Sequence, residues 1–76
     1  MKDLVKTMAE ELVDRPEEVV VTEIAGDSQT VLELRVAKGD TGKVIGRDGR
    51  TAQSMRTVLS ALAAKLGKRA HLEIVD

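Results

Sequence analysis

The 76-residue sequence has no phenylalanine, tyrosine, tryptophan or cysteine, and only one proline and one histidine. Without aromatic rings it cannot build a stacking platform for bases or a cage for quaternary ammonium ligands. The absence of cysteine excludes a disulfide framework, a zinc knuckle and a thiol nucleophile. His71 alone cannot supply a multi-histidine metal site. The longest apolar runs extend over only a few residues, far short of a signal-peptide core or a membrane span. A cytoplasmic location is therefore expected, and the lack of cysteine agrees with it. What is present is a composition of 42% hydrophobic and 33% charged residues, that of a soluble globular domain. The length suits one domain with a thin core, since folds of this size bury only about 60% of their unfolded surface.

The net charge of −1 hides a strong asymmetry. Residues 1–37 carry four bases (Lys2, Lys6, Arg15, Arg35) against nine acids, a net of −5. Residues 38–69 carry eight bases against Asp40 and Asp48, a net of +6. Glu73 and Asp76 in the tail restore the total. So uneven a distribution in one small domain points to an anionic partner for one face, the alternative being an uneven solvated surface.

Periodicity divides the chain into six elements. Leu4, Val5, Met8, Leu12 and Val13 recur at helical spacing, with Asp3 placed to cap the start and Pro16 to stop the helix. The β-branched stretch from Glu18 to Ala25 reads as a strand. After the turn residues Gly26-Asp27-Ser28, Thr30 to Ala37 alternates, with Leu32, Leu34 and Val36 on one face, so the two strands form a hairpin. Asp40 can cap a short helix over Thr41 to Ile45, which Gly46 interrupts. A second, longer helix then places Ala52, Met55, Val58, Leu59, Leu62, Ala63 and Leu66 on one stripe. Gly67 closes it, and Ala70 to Val75 offers Leu72 and Ile74 on one face of a final strand. The order α-β-β-α-α-β implies an α+β fold, a three-stranded sheet covered on one face by three helices.

Chemistry concentrates in the connector Gly46-Arg47-Asp48-Gly49 and its neighbours Lys43, Val44, Ile45 and Arg50. Two glycines allow a sharp turn and close approach of another backbone. The following helix begins with unpaired amides at the positive end of its dipole, and Arg47 and Arg50 bracket the turn. A sugar-phosphate backbone laid along this loop would meet donors and positive charge together. A P-loop is excluded, because Gly42-Lys43 is followed by Val44 and the first glycine is replaced by Ala37. A dinucleotide fingerprint is excluded as well, since no two glycines are separated by a single residue.

The segment Gly42-Lys43-Val44-Ile45-Gly46-Arg47-Asp48-Gly49-Arg50-Thr51 resembles the helix-GXXG-helix core of a KH domain. With a helix and two strands before it and one strand after, the order is similar to the bacterial type II arrangement. Pro16-Glu17-Glu18-Val19, the stretch Val31 to Val36, and Lys65-Leu66-Gly67-Lys68-Arg69 extend the likeness to the small single-KH bacterial proteins called KhpA-like. The resemblance covers essentially residues 1–76 and implies one KH domain that binds single-stranded RNA, as a post-transcriptional regulator or RNA chaperone. It maps the clamp onto Gly46, Arg47, Asp48 and Gly49, with Lys43 and Arg50 beside it. It also places Val44 and Ile45, and the strand near Leu34 and Val36, along a groove for about four nucleotides. It further implies a homodimer, or pairing with a larger KH-containing protein linked to cell elongation. Asp48 departs from the many KH loops that carry a base at this point.

Plainer readings accompany several residues. Lys65, Lys68 and Arg69 lie at the far end of a helix about 25 Å long and read first as partners of its dipole. Met8 and Met55 read as core filler, and His71 as a strand surface residue. No triad, paired-carboxylate site or roomy pocket argues for an enzyme, and neither a cofactor nor a metal is expected. The rival to RNA binding is a protein-interaction module in which the fold serves dimerisation.

Overall fold

The computed structural model describes residues 1–75, so Asp76, counted above in the tail's charge, lies outside the described residues. Its elements run α1 (Lys2–Leu12), β1 (Val20–Ala25), β2 (Thr30–Arg35), α2 (Thr41–Ile45), α3 (Arg50–Lys65) and β3 (Ala70–Val75). Single 3₁₀ turns occupy Pro16–Glu18 and Arg47–Gly49. The α+β order expected from periodicity is therefore the observed one.

β1 and β2 form an antiparallel hairpin closed by the Gly26 N–H donating to the Gln29 carbonyl at 2.8 Å. β3 joins the other edge of β2 in parallel, giving the order β1-β2-β3. Register aligns Val21 with Leu34, and Leu32 with Leu72, so these buried residues share one face. Val20 and Ile24 point the other way and are exposed. Helices cover only the first face: α1 packs on β1 and β2, α3 packs on β3, and α2 rests mainly against α3 and α1. Val5, Ala9, Val44, Met55 and Leu59 meet the strand residues in one core. Among the described residues no helix is long and apolar enough to cross a membrane.

Several local expectations need correction. Asp3 does not cap α1. Met1 holds that position and Asp3 sits in the first turn, where a carboxylate still favours the positive end of the dipole. Pro16 does not stop α1, which has closed by Val13; it opens the 3₁₀ turn, where its missing N–H costs nothing. That turn takes the Val19 N–H onto the Pro16 carbonyl at 3.1 Å, so β1 starts at Val20 rather than Glu18. β2 ends at Arg35, leaving Val36 half-buried beyond the strand. On α3 the core stripe is Ala52, Met55, Leu59 and Ala63, whereas Val58 and Leu66 are exposed.

The end of α3 does close at Gly67. In the left-handed conformation, φ +70°, its N–H donates to the Ala64 carbonyl at 3.0 Å, and the Lys68 N–H donates to Ala63 at 2.8 Å. This is a Schellman closure, which uses carbonyls that would otherwise lack partners.

Candidate nucleic-acid interface

The turn between α2 and α3 is built from three departures from ordinary backbone within four residues. Gly46 has φ +79° and ψ 173°, and its N–H closes α2 on the Gly42 carbonyl at 2.9 Å. A Cβ there would collide with Thr51 Oγ1 and Cβ, so Gly46 is demanded by both conformation and space. Asp48 adopts φ 56° and ψ 27°, a left-handed geometry that aspartate tolerates better than most residues. Gly49 follows at φ 72°, its N–H donating to the Gly46 carbonyl at 3.1 Å. Nothing lies within 4 Å of a Cβ at Gly49, so the outer side of the turn is open.

Gly49 occupies the cap position of α3, and no side chain caps the helix start. The positive end of a 16-residue helix therefore faces the open side of the turn. Arg47, Asp48 and Arg50 are exposed around it, while Gly46 and Gly49 are half-buried. Ile45, 39% exposed, adds an apolar edge. Next to the start of α2, a recess of about 500 Å³ is lined by Arg35, Val36, Lys38, Gly39 and Thr41. The turn thus sets two exposed guanidinium groups beside the positive end of α3, an arrangement suited to an anionic backbone.

Two of the expected groove residues are elsewhere, and one cation expected beside the clamp is already engaged. Val44 is fully buried and belongs to the core, because the one-residue step from Ile45 rotates it by about 100° around α2. Leu34 is buried on the helix-covered face of the sheet. Lys43 is not a free cation: its Nζ lies 3.3 Å from Asp14 Oδ2 and 3.9 Å from Asp40 Oδ1. Arg56, also counted in the basic half, donates from Nε to the Leu72 carbonyl at 3.2 Å and ties α3 to β3.

Asp40 carries a function that its position before α2 concealed. It stands at the cap position but makes no capping bond. Its carboxylate is instead buried and accepts the Arg15 backbone N–H at 3.1 Å, with Lys43 supplying a compensating charge. This contact pins the start of α2 to the loop after α1. A lone Asp before a short helix signals a cap; nothing in the linear sequence couples it to Arg15. Thr51, which fills the space beside Gly46, was equally silent.

A family model for the KhpA/KhpB KH domain matches residues 2–74. The RNA-binding protein KhpA of Aquifex aeolicus is 50% identical over 76 residues, covering 100% of this chain and 96% of that protein. The RNA-binding protein KhpA of Clostridium acetobutylicum is 51% identical over 75 residues, covering 99% and 100%. The fold is similar to part of Era in complex with MgGDPNP and nucleotides 1506–1542 of 16S ribosomal RNA, with TM-score 0.66 and 21% identity. That match covers 96% of this chain and 28% of Era. The relatives are named for RNA binding and not for a reaction. With the family model spanning nearly every residue and half the positions identical in full-length relatives, the chain belongs to the KhpA/KhpB KH-domain family.

Proposed function

We propose that this chain acts as one KH domain gripping single-stranded RNA at the Gly46–Gly49 turn. The observation that carries the reading is the open, positively charged turn set on the uncapped start of α3. Arg47 and Arg50 contact phosphates, the amides of α3 beyond Arg50, whose own N–H is taken by the Arg47 carbonyl, add donors, and Gly46 and Gly49 let the strand approach. Asp48 turns to solvent, and Ile45 with Val36 borders the bases. Lys43 takes a secondary part, since phosphate must compete with Asp14 for its ammonium. The names of the relatives support RNA as the ligand. The role is binding rather than catalysis, in the cytoplasm, as a post-transcriptional regulator or RNA chaperone connected with cell shape.

Arg47→Asp tests the clamp. It places a second carboxylate beside Asp48 on the phosphate path while leaving the core untouched. Affinity for a short single-stranded RNA should fall beyond detection in a gel-shift titration, with the circular dichroism of the folded protein retained. Unchanged affinity would sink the assignment.

A protein-contact reading has its own observation. Between α1 and α3 a shallow groove of about 370 Å³ is lined mainly by Met8, Leu12, Met55 and Val58, with Leu12 39% and Val58 46% exposed. A second copy of the chain, or the KH domain of a larger protein, would cover this surface. Mass measurement in solution of the chain and of Val58→Glu tests it: the variant should run as a monomer where the parent does not.

A further inference from the structure

Taking RNA as the ligand of the clamp, we infer that the opposite end of α3 holds a second RNA contact, formed by Lys68 and Arg69 with the β1–β2 turn and flanked by Lys65 in the last turn of α3. Two concavities meet there. One, about 350 Å³, lies between Gly26–Gln29 and Gly67–Arg69. The other, about 360 Å³, is bordered by Gln29, Ser60, Lys68, Arg69 and His71. Gln29, Lys68 and Arg69 line both, so the two hollows form one winding surface around the basic pair.

Service to the helix dipole does not account for these cations. Three of the last four carbonyls of α3 are already taken by backbone: Leu62 by the Leu66 N–H, Ala63 by Lys68 and Ala64 by Gly67. Among the described residues, the side chains of Lys65, Lys68 and Arg69 enter no hydrogen bond or ion pair. Lys43, Arg15 and Arg56, by contrast, are each tied to a carboxylate or carbonyl. Two carboxylates stand nearby. Asp27 lines the first hollow, and Glu73 is 3.4 Å from His71 Nε2 at the second. Three exposed cations outnumber them. The hydroxyls of Ser28 and Ser60 and the Gln29 amide supply the neutral donors that sugar-phosphate also uses.

The spacing sets the RNA length required. α3 separates the two sites by about 24 Å, which a stacked strand at about 3.4 Å per nucleotide spans in roughly seven nucleotides. With about four nucleotides in the clamp, strands of about twelve or more reach both sites, and a five-nucleotide strand reaches one. Joining two weak contacts on one strand raises affinity through effective concentration.

Fluorescence anisotropy with 5-mer and 15-mer single-stranded RNAs tests this on the parent chain and on Lys68→Glu/Arg69→Glu. The parent should bind the 15-mer more tightly. The double variant should lose at least about tenfold on the 15-mer, with 5-mer affinity unchanged and the salt slope for the long strand reduced by about 1.4. Retained 5-mer affinity shows that the variant is folded, and Lys68→Gln/Arg69→Gln should give an intermediate loss. Parent-like 15-mer binding by the double variant would overturn the inference, as would equal losses on both lengths. A parent that ignores the 5-mer yet binds the 15-mer through Lys68 and Arg69 would support the second contact and refute the clamp.

Discussion

The two ends of α3 show opposite treatments of the same problem. Each helix terminus leaves backbone groups without helical partners. At the C-terminal end the Schellman closure at Gly67 satisfies the Ala63 and Ala64 carbonyls internally. At the N-terminal end Gly49 stands in the cap position without a side-chain acceptor, and the turn before it is open. The chain thus seals one end for stability and leaves the other available to an anion. Both ends carry exposed cations, but only the start of α3 also offers amides and a favourable dipole.

Substitution of the glycines sharpens the contrast. Gly46→Ala should have the largest effect, about 3 kcal/mol lost in denaturant unfolding, because a left-handed backbone and a collision with Thr51 combine. A loss no greater than that at Gly49 would show that the turn relaxes freely. Gly49→Ala and Gly67→Ala face only the conformational penalty, about 1 kcal/mol each, since neither Cβ meets an atom within 4 Å. Their functions should separate: 5-mer RNA affinity falls with the former and stays constant with the latter. Equal effects on binding would break the contrast between the two ends.

The smallest effect concerns the meeting of the acidic and basic halves at Lys43. Asp14→Asn should leave the ammonium held by Asp40 alone and raise RNA affinity by about threefold, the scale of an exposed ion pair. In that background Lys43→Gln should abolish the gain, a coupling that a double-mutant cycle measures directly. An unchanged affinity in Asp14→Asn would remove Lys43 from the interface.

Much of this was legible in the chain. The strand alternation at Leu32 and Leu34, the helical stripe at Ala52, Met55, Leu59 and Ala63, and the closing glycine all follow from local periodicity and turn chemistry. The Gly46–Gly49 connector stood out for the same reason. The assignments that failed concern direction and partnership. Val44 and Ile45 are adjacent aliphatic residues of similar volume, yet one is sealed in the core and the other reaches solvent. Only the packing of α2 against α3 distinguishes them. Asp40 and Lys43 obey local rules for a cap and a surface cation, but Arg15 and Asp14 claim them from about 25 and 29 residues away.

By itself the sequence determined the element order, the acidic and basic halves and the place of the glycine turn, because hydrophobic period, charge and backbone freedom are local properties. The tertiary structure decided which charges remain available. It engaged Lys43 and Arg56 internally while leaving Arg47, Arg50, Lys68 and Arg69 exposed. Charge counted along a chain becomes a binding surface only after the fold has chosen which groups neutralise one another, and that choice depends on distances between segments remote in sequence.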